Sequence, residues 1–337
     1  MRKVVLADVG RIEYLEVPKP TIRPGWVTVK LLRCGLCGTD VHNYYLETIF
    51  GKDRYPFNMG HEACGIVDEI GEGVSGLAVG DMVVINPYWT CTTCKECLTG
   101  HNNNCEHLTT IGLTGPSGNS EYTMAPAASV LKVKKDIDPT LLAFTEPIGT
   151  LIYALDKIHL SPLHDVLIVG AGAIGMLFFQ MLRNAHINSL TVADIVDDKL
   201  AFAKELGAER VVNTAKETDD RKYDVLIDCT GSAAVAEKNF DRMKFGGQIL
   251  IYGVCPIDST VTFKPFDLYK KDLSLHATFA LTYSSFQRAL NLIESGRIDV
   301  QPLVAGVYPV GKLEECIKMV KAGKVNGKIV IDTTRFE

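Results

Sequence analysis

The chain has 337 residues, a length that suits about two domains rather than one. Its hydrophobic and charged fractions, 47% and 22%, are typical of a soluble globular protein. The net charge is −5 at pH 7 and neither end carries a run of basic residues, so we expect no nucleic-acid partner.

Membrane insertion is not predicted. The longest apolar stretches, such as residues 166–175, are interrupted by glycine and fall short of the roughly 20 residues that a membrane helix needs. Near the N-terminus, Asp8 stands where the apolar segment of a signal peptide would continue. We therefore expect a cytoplasmic protein.

Residues 1 to about 145 are predicted to be rich in β-strands. Short alternating stretches at residues 26–32 and 82–85 are separated by turn sequences such as Pro24-Gly25 and Gly80-Asp81. This pattern predicts a β-rich first part of the chain.

From about residue 150, strands and helices are predicted to alternate, which indicates a doubly wound parallel sheet. The predicted strands are residues 166–169, 190–193, 211–212, 225–228 and 248–252, and the helices nearest the first of them are residues 173–184 and 197–206. The last sixty residues are predicted to hold helices at 284–294 and 313–322 and strands at 304–308 and 328–332.

A glycine-rich turn, Gly170-Ala171-Gly172-Ala173-Ile174-Gly175, lies between the first of these strands and the helix that follows it. Gly170 permits the tight turn, Gly172 lets the backbone approach a pyrophosphate, and Gly175 lets the helix pack against the strand. We predict that this segment, with Ile174 in the first helical turn, binds a dinucleotide at the helix N-terminus.

Asp194 ends the next predicted strand, about twenty residues further on. A carboxylate there accepts hydrogen bonds from the adenosine ribose of NAD and repels the 2′-phosphate of NADP. Residues 195–197 contain no Arg or Lys that would favour the phosphate, so NAD is predicted. Lys199 is a candidate contact on the adenosine side, with a solvated side chain as the alternative.

Four cysteines crowd into fifteen positions with the spacing Cys91-x2-Cys94-x2-Cys97-x7-Cys105. In a cytosolic chain this crowding indicates metal binding rather than disulfides. Four thiolates complete a tetrahedral zinc shell with no position left for substrate, so we predict a structural zinc.

A second set of metal-binding side chains is dispersed along the sequence. The segments that contribute are Cys34-Gly35-Leu36-Cys37-Gly38-Thr39-Asp40-Val41-His42, Gly60-His61-Glu62-Ala63-Cys64-Gly65 and Thr145-Glu146-Pro147. Together they offer the sulfur, nitrogen and oxygen donors of a catalytic zinc site. The chemistry of the side chains alone does not select among them.

These motifs, taken together, resemble the zinc-containing medium-chain dehydrogenase family. The resemblance rests on Cys37-Gly38-Thr39-Asp40, His61-Glu62-x2-Gly65-x5-Gly71-x2-Val74, Val79-Gly80-Asp81, the four cysteines, the glycine-rich turn and the final Gly327-Lys328-Ile329-Val330. It covers essentially the whole chain. It implies a GroES-like catalytic domain from residues 1–147 and 280–337 and a Rossmann NAD-binding domain from residues 148–279, with the active site in the cleft between them and a homodimer or homotetramer as the assembly.

Carried over to this sequence, the resemblance makes Cys37 and His61 ligands of the catalytic zinc and makes Thr39 and His42 a proton relay. Alcohol dehydrogenases proper have a second cysteine as the third protein ligand. This chain has Glu146 there and resembles the sorbitol, butanediol and threonine dehydrogenases. Glu62 or Glu146 can face the metal in that subgroup, and both are assigned to the zinc shell without ranking.

The predicted reaction is hydride transfer between NAD and a secondary alcohol of a polyol or polyhydroxy acid, with zinc as Lewis acid. Tyr44, Tyr45 and Glu121 are candidates to hold further substrate hydroxyls. Two enzymatic alternatives are threonine and a phosphorylated sugar alcohol, for which Lys52 and Arg54 are candidate phosphate contacts. A third, of another class, is a non-catalytic NAD-binding sensor.

Overall fold

The computed structural model describes residues 1–46, 55–112 and 115–337. The chain folds into two compact units. One combines Met1–Thr150 with Ala280–Glu337, and the other is Leu151–Phe279. The first unit is therefore built from both ends of the chain. In the described ranges, no helix combines the length and the apolar character needed to span a bilayer.

The strands and helices of both units follow in chain order. The strands are β1 (Arg2–Asp8), β2 (Arg11–Glu16), β3 (Trp26–Gly35), β4 (Phe57–Asn58), β5 (Glu62–Ile70), β6 (Met82–Ile85), β7 (Tyr88–Trp89), β8 (Thr109–Thr110), β9 (Tyr122–Pro126), β10 (Val130–Lys132), β11 (Asp165–Val169), β12 (Ser189–Asp194), β13 (Arg210–Asn213), β14 (Tyr223–Asp228), β15 (Met243–Ile251), β16 (Ser274–Ala277), β17 (Val304–Pro309) and β18 (Lys328–Asp332). The helices are α1 (Gly38–Tyr44), α2 (Lys95–Leu98), α3 (Pro139–Leu142), α4 (Thr145–Leu155), α5 (Ala173–Leu182), α6 (Asp197–Glu205), α7 (Ala233–Asn239), α8 (Pro265–Lys271), α9 (Tyr283–Glu294) and α10 (Leu313–Lys321).

The first unit is centred on a seven-stranded sheet of order β10-β6-β5-β3-β18-β17, with β9 also paired to β3. The apolar side chains of β3 that alternate towards the core, Val27, Val29 and Leu31, are almost completely buried. Strand β3 is antiparallel to both β5 and β18, so Gly35 lies opposite Glu62 on one side and opposite Val330 on the other. The C-terminal strand is thereby brought beside the segment that carries Cys37.

The second unit is a six-stranded sheet of order β13-β12-β11-β14-β15-β16, and all five neighbouring pairs are parallel. Val166, Leu167 and Ile168 of β11 are completely buried, as expected of a parallel strand covered on both faces. The predicted doubly wound parallel sheet is confirmed. Strand β16 was not predicted, because its sequence Ser-Leu-His-Ala has neither a continuous apolar run nor a β-branched residue.

Candidate active site

The loop before helix α1 orients Cys37. Cys37 caps the helix, and its sulfur accepts a hydrogen bond from the Thr39 N–H at 3.5 Å. In return, Asp40 Oδ2 accepts the Cys37 N–H at 3.1 Å, which completes a capping box. The ligand candidate thus lies on backbone held by two reciprocal hydrogen bonds.

Asp40 also connects this loop to the segment that carries His61. Its second oxygen, Oδ1, accepts the Gly60 N–H at 3.2 Å, and the side chain is 3% exposed. Gly60 has φ +82° and packs against Asn119, so a side chain at position 60 would be both strained and obstructed. Sequence analysis missed this role of Asp40, although the Cys-x-x-Asp spacing at a helix start is a capping signal.

The structure brings Cys37, His61 and Glu62 together, and we call these three residues the dispersed donor group. One donor atom from each side chain lies within 4.8 Å of the others. His61 and Glu62 are buried, with 8% and 2% of their surface exposed. Burial, followed by the negative charge of Glu62, raises the pKa of the Cys37 thiol to about 12. A thiolate there requires a neighbouring cation such as a metal ion.

Glu146 lies in the first turn of helix α4 and is 5% exposed. It interacts electrostatically with His61, Glu62 and Cys37, but it is not part of the three-residue group within 4.8 Å. Burial raises the pKa of its carboxyl group to about 8; the His61 charge opposes the shift and the Glu62 charge adds to it. The site therefore contains two buried carboxyl groups, and Glu62 is the one grouped with Cys37 and His61.

Lys328, at the start of β18, completes this environment and was missed by sequence analysis. Its Nζ lies 2.7 Å from Glu62 Oε1 and 2.5 Å from Oε2, and donates to the Leu36 carbonyl at 3.2 Å. Gly35 leaves the space for this ion pair, since a Cβ there would lie 2.7 Å from Lys328 Cε and closer still to Glu62 Oε2. A lysine directly before the apolar run Ile329-Val330-Ile331 was the available signal.

The charges of these side chains fit a divalent cation. With Cys37, Glu62 and Glu146 all ionised, the site would carry three negative charges against the one positive charge of Lys328. Two negative charges remain in a buried site, where uncompensated charge is costly. One Zn²⁺ neutralises them, and sulfur, nitrogen and oxygen donors suit that ion.

Thr39 and His42, the predicted relay, lie three residues apart on α1 and are both half-buried. Residues three apart on a helix share a face, so this spacing suits a relay.

The three residues predicted to hold further substrate hydroxyls have partners within the fold. The Tyr44 hydroxyl donates to Glu314 at 2.9 Å, the Tyr45 ring lies below the Lys321 ammonium, and Glu121 accepts two hydrogen bonds from the Arg2 guanidinium. A role of Tyr44, Tyr45 and Glu121 in binding substrate hydroxyls stays a prediction. Lys52 and Arg54 lie outside the described residues.

The four-cysteine lobe, formed by Cys91, Cys94, Cys97 and Cys105, gathers its four sulfurs within 4.8 Å of one another. All four are free thiols. The backbone N–H groups of Thr93 and Cys94 lower the pKa of the Cys91 thiol to about 6, so this sulfur is readily ionised. The lobe has the composition and compactness of a closed tetrahedral zinc shell.

The glycine-rich turn follows β11 in the second unit. Gly170 has φ +99°, which favours glycine, and a Cβ at Gly175 would collide with the Gly170 carbonyl. Gly172 faces open space, so a ligand can approach its backbone, while Ile174 is half-buried in the first turn of α5. This arrangement fits a pyrophosphate at the N-terminus of α5.

Asp194, at the end of β12, contacts the same turn. Its Oδ2 accepts the Ala171 N–H at 2.7 Å, and Oδ1 accepts the N–H groups of Ile195 and Val196 at 2.7 and 3.0 Å. The carboxylate is thus fixed beside the turn, with Lys199 half-buried on α6.

Two family models match the chain. The alcohol dehydrogenase GroES-like domain matches residues 23–135, and the zinc-binding dehydrogenase model matches residues 173–295. The fold and these matches define a zinc-binding dehydrogenase. The chain belongs to the zinc-containing medium-chain alcohol and polyol dehydrogenase family.

Relatives and solved structures match over nearly the full length. L-threonine 3-dehydrogenase of Pyrococcus horikoshii is 29% identical over 331 residues, which is 94% of each chain. A Sinorhizobium meliloti protein solved with NADP bound superposes with a TM-score of 0.89 at 28% identity, covering 98% of each chain. Galactitol-1-phosphate dehydrogenase from Escherichia coli superposes with a TM-score of 0.87 at 25% identity, covering 98% of this chain and 100% of the other.

The predicted family, the GroES-like and Rossmann fold class and the prediction of an enzyme are confirmed. Zinc and a nicotinamide cofactor are confirmed for the family. The relatives act on different substrates by name, so family membership alone does not select one.

Proposed function

We propose that this enzyme transfers a hydride between NAD and a secondary alcohol of a polyol or polyhydroxy acid. The observation that carries the proposal is the oxygen-rich site: Glu62 is grouped with Cys37 and His61, and Glu146 is buried nearby. A substrate with several hydroxyls can satisfy such polar groups, whereas a simple alcohol leaves them without hydrogen bonds.

Cys37 and His61 would hold the catalytic zinc in this proposal, with the carboxylates of Glu62 and Glu146 as the candidate oxygen donors beside them. When bound, zinc would supply the Lewis acidity that favours loss of the substrate hydroxyl proton, and a nicotinamide cofactor would supply the hydride-transfer chemistry. Thr39 Oγ1 accepts that proton while its own proton moves towards the His42 imidazole, which passes it on to solvent. Asp40 fixes the backbones of Cys37 and Gly60 relative to each other, because its carboxylate accepts a hydrogen bond from the N–H group of each.

The cofactor assignment rests on Asp194. Gly170, Gly172, Ile174 and Gly175 form the pyrophosphate site, and the fixed Asp194 carboxylate accepts from the ribose and repels a 2′-phosphate. Lys199 contributes on the adenosine side. The four-cysteine lobe holds a second, structural zinc.

The substrate is tested by a panel of polyols, sugar acids and monohydric alcohols of equal length, scored by NADH absorbance. We expect the highest kcat/KM for a vicinal diol, polyol or hydroxy acid. Equal or better turnover of the monohydric alcohol would contradict the proposal.

L-Threonine is the second candidate substrate, because a threonine 3-dehydrogenase is 29% identical over nearly the whole chain. Threonine also carries a secondary hydroxyl beside a second polar group, so the same carboxylate-rich site suits it. The panel therefore includes L-threonine and a phosphorylated polyol, and the largest kcat/KM decides among the three classes.

We propose that the protein is a homodimer or homotetramer whose subunits contact one another through strand β16. A cytoplasmic location is a separate prediction. In the described residues β16 pairs only with β15, so its other edge is unpaired. Large apolar side chains that are at least half exposed occur on β16 and in the segments next to it along the chain: Val254, Ile257, Phe266, Tyr269, Leu275 and Phe279. An exposed apolar edge strand favours pairing with another strand. A second copy can supply the same strand antiparallel across a two-fold axis.

Light scattering after size-exclusion chromatography tests this assembly. We expect a dimer or tetramer for the wild type and a smaller species for Leu275→Lys, which places a charge on the edge. Val79→Lys, at an exposed apolar residue of the first unit, is the matched control and should leave the mass unchanged. An oligomer that withstands Leu275→Lys would contradict this interface.

A further inference from the structure

Lys328 is almost completely withdrawn from water, although lysine is strongly hydrated as a free side chain. Its side chain is 4% exposed and that of its partner Glu62 is 1% exposed. Burying an ammonium is costly unless it is paired and hydrogen-bonded. Both conditions are met here, since Nζ contacts Glu62 and donates to the Leu36 carbonyl.

The ion pair engages both oxygens of Glu62, at 2.7 and 2.5 Å from Nζ. Glu62 also belongs to the dispersed donor group, so a bound zinc would compete with the ammonium for the same carboxylate. Any movement of this carboxylate into the metal's shell must weaken its contact with the ammonium.

The proposed catalytic zinc has three candidate donors in the dispersed donor group, Cys37, His61 and Glu62, and a fourth in Glu146, which is buried and interacts electrostatically with all three. If all four bound, the shell would be closed in the same way as in the four-cysteine lobe. A catalytic zinc needs one position for water or substrate. An open position therefore requires that one of these four candidates stays unbound.

We propose that Lys328 is a positioning residue that withholds Glu62 from the zinc and so keeps the fourth coordination position open for substrate. This inference rests on the proposed function. Lys328 also balances the buried charge, because the site with Zn²⁺, Lys328 and three anions is neutral. Without the lysine one negative charge remains, which favours tighter contact between Glu62 and the metal.

The primary test compares Lys328→Met with Lys328→Arg in the zinc-loaded enzyme. In Lys328→Met we expect the removal of catalytic zinc by a chelator to slow by about tenfold or more, because a nearby positive charge is lost and Glu62 is freed to bind. Its kcat should fall by about 10- to 100-fold, the usual effect of changing a residue behind a metal ligand. Lys328→Arg retains the charge and should restore both quantities to within a few-fold of wild type.

The surface variant Lys312→Met, which removes an exposed lysine paired with Glu315, should change neither quantity. Unchanged or faster release of zinc from Lys328→Met would overturn the proposal.

A second comparison, made in the Glu62→Gln variant, tests whether the effect of Lys328→Met depends on the Glu62 carboxylate. There, Lys328→Met should slow zinc removal much less than it does beside Glu62, since no carboxylate is left to enter the shell and only the loss of the ammonium charge remains. Equal slowing in this background would also overturn the proposal, because Lys328 would then act independently of Glu62.

Lys328→Met alone can fail to fold, since it leaves Glu62 buried without a cation. The double variant Glu62→Gln/Lys328→Met removes both charges and then decides the question. We expect it to keep about two zinc ions per chain, one in each donor cluster, and measurable turnover. Loss of the catalytic zinc would overturn the proposal by making Glu62 a required ligand. A wild-type enzyme that binds a single zinc ion, or shows no dehydrogenase activity, would instead contradict the proposed function.

Discussion

The four-cysteine lobe and the dispersed donor group both gather metal-binding side chains, but they do so by different means. The lobe takes all its donors from the stretch between Cys91 and Cys105, and only Cys105 among them is buried. The dispersed group takes Cys37 from a helix start and His61 and Glu62 from the start of β5, and it lies beside Glu146 and Lys328. One is organised by local chain geometry and the other by the tertiary fold.

Their electrostatics differ in the same way. In the lobe, neighbouring N–H groups lower the pKa of the Cys91 thiol to about 6. In the dispersed group, burial and the Glu62 charge raise the pKa of the Cys37 thiol to about 12. The Cys91 thiolate forms readily before a metal arrives, although burial raises the pKa of Cys97 in the same lobe to about 11, whereas Cys37 in the buried site needs a neighbouring cation to ionise. This difference suits a closed structural shell and a reactive open one.

The largest effect is expected when a ligand of the dispersed group is removed. His61→Ala should lower kcat/KM by about three orders of magnitude or more, because the Lewis acid is lost from the site. The zinc content should fall by about one equivalent, and the lobe should keep its zinc. Kinetics and metal analysis on one preparation measure both, with the exposed His101→Ala as control. Near wild-type activity would remove the functional distinction between the two sites.

Glu146→Ala should reduce turnover by roughly two orders of magnitude while leaving the structural zinc and NAD binding in place, because a buried carboxylate beside the metal is lost. Steady-state kinetics, zinc content and a cofactor titration check this. If activity stays near that of the wild type, Glu62 completes the catalytic shell without Glu146.

Cys94→Ser should act on stability rather than on chemistry. We expect loss of about one zinc equivalent and a fall in Tm of roughly 5 °C or more, because metal binding in the lobe contributes directly to folding. Calorimetry and metal analysis test this, and Cys255→Ser, outside both clusters, is the matched control. Unchanged zinc content and melting would show that the lobe is not a structural metal site.

Asp194→Ser should weaken NAD binding by about tenfold and reduce discrimination against NADP, since a charge-assisted hydrogen bond and a repulsion are lost together. The ratio of kcat/KM for NAD to that for NADP is the measurement, because Asp194 also stabilises the turn that both cofactors use. Asp197→Ser provides an acidic control three residues later. A wild type that already prefers NADP would exclude the assignment.

The smallest effect concerns pH in the zinc-free protein. Folding raises the pKa of Glu146 to about 8 from its ordinary 4.5, so the folded state holds a proton that the unfolded state has released between these pH values. The contribution of Glu146 to stability should therefore be most favourable below about pH 4.5 and decline as the pH rises towards 8, by about 1 kcal/mol after structural relaxation. Urea unfolding of Glu146→Gln should lack this contribution, and an identical pH profile in both proteins would contradict it.

Much of the fold could be predicted from the sequence because its signals are local. The glycine-rich turn, the strand before it and Asp194 all lie within about 30 residues, and the parallel sheet follows from apolar strands alternating with helices. The four-cysteine lobe could also be predicted from the sequence, since the spacing of its cysteines alone indicates that four sulfurs lie close together. Residues with local roles are the ones for which sequence patterns are informative.

Only the tertiary structure decided the surroundings of the dispersed donor group. Lys328 lies 266 residues from Glu62 in the chain, and no local pattern links them. Their ion pair forms because β18 from the C-terminus pairs with β3, which also pairs with β5. Likewise, Tyr44 and Glu121 were predicted near the substrate from segment position alone, but the fold supplies Glu314 and Arg2 as their partners. Burial and charge pairing depend on which distant strands become neighbours, and that is a property of the whole fold.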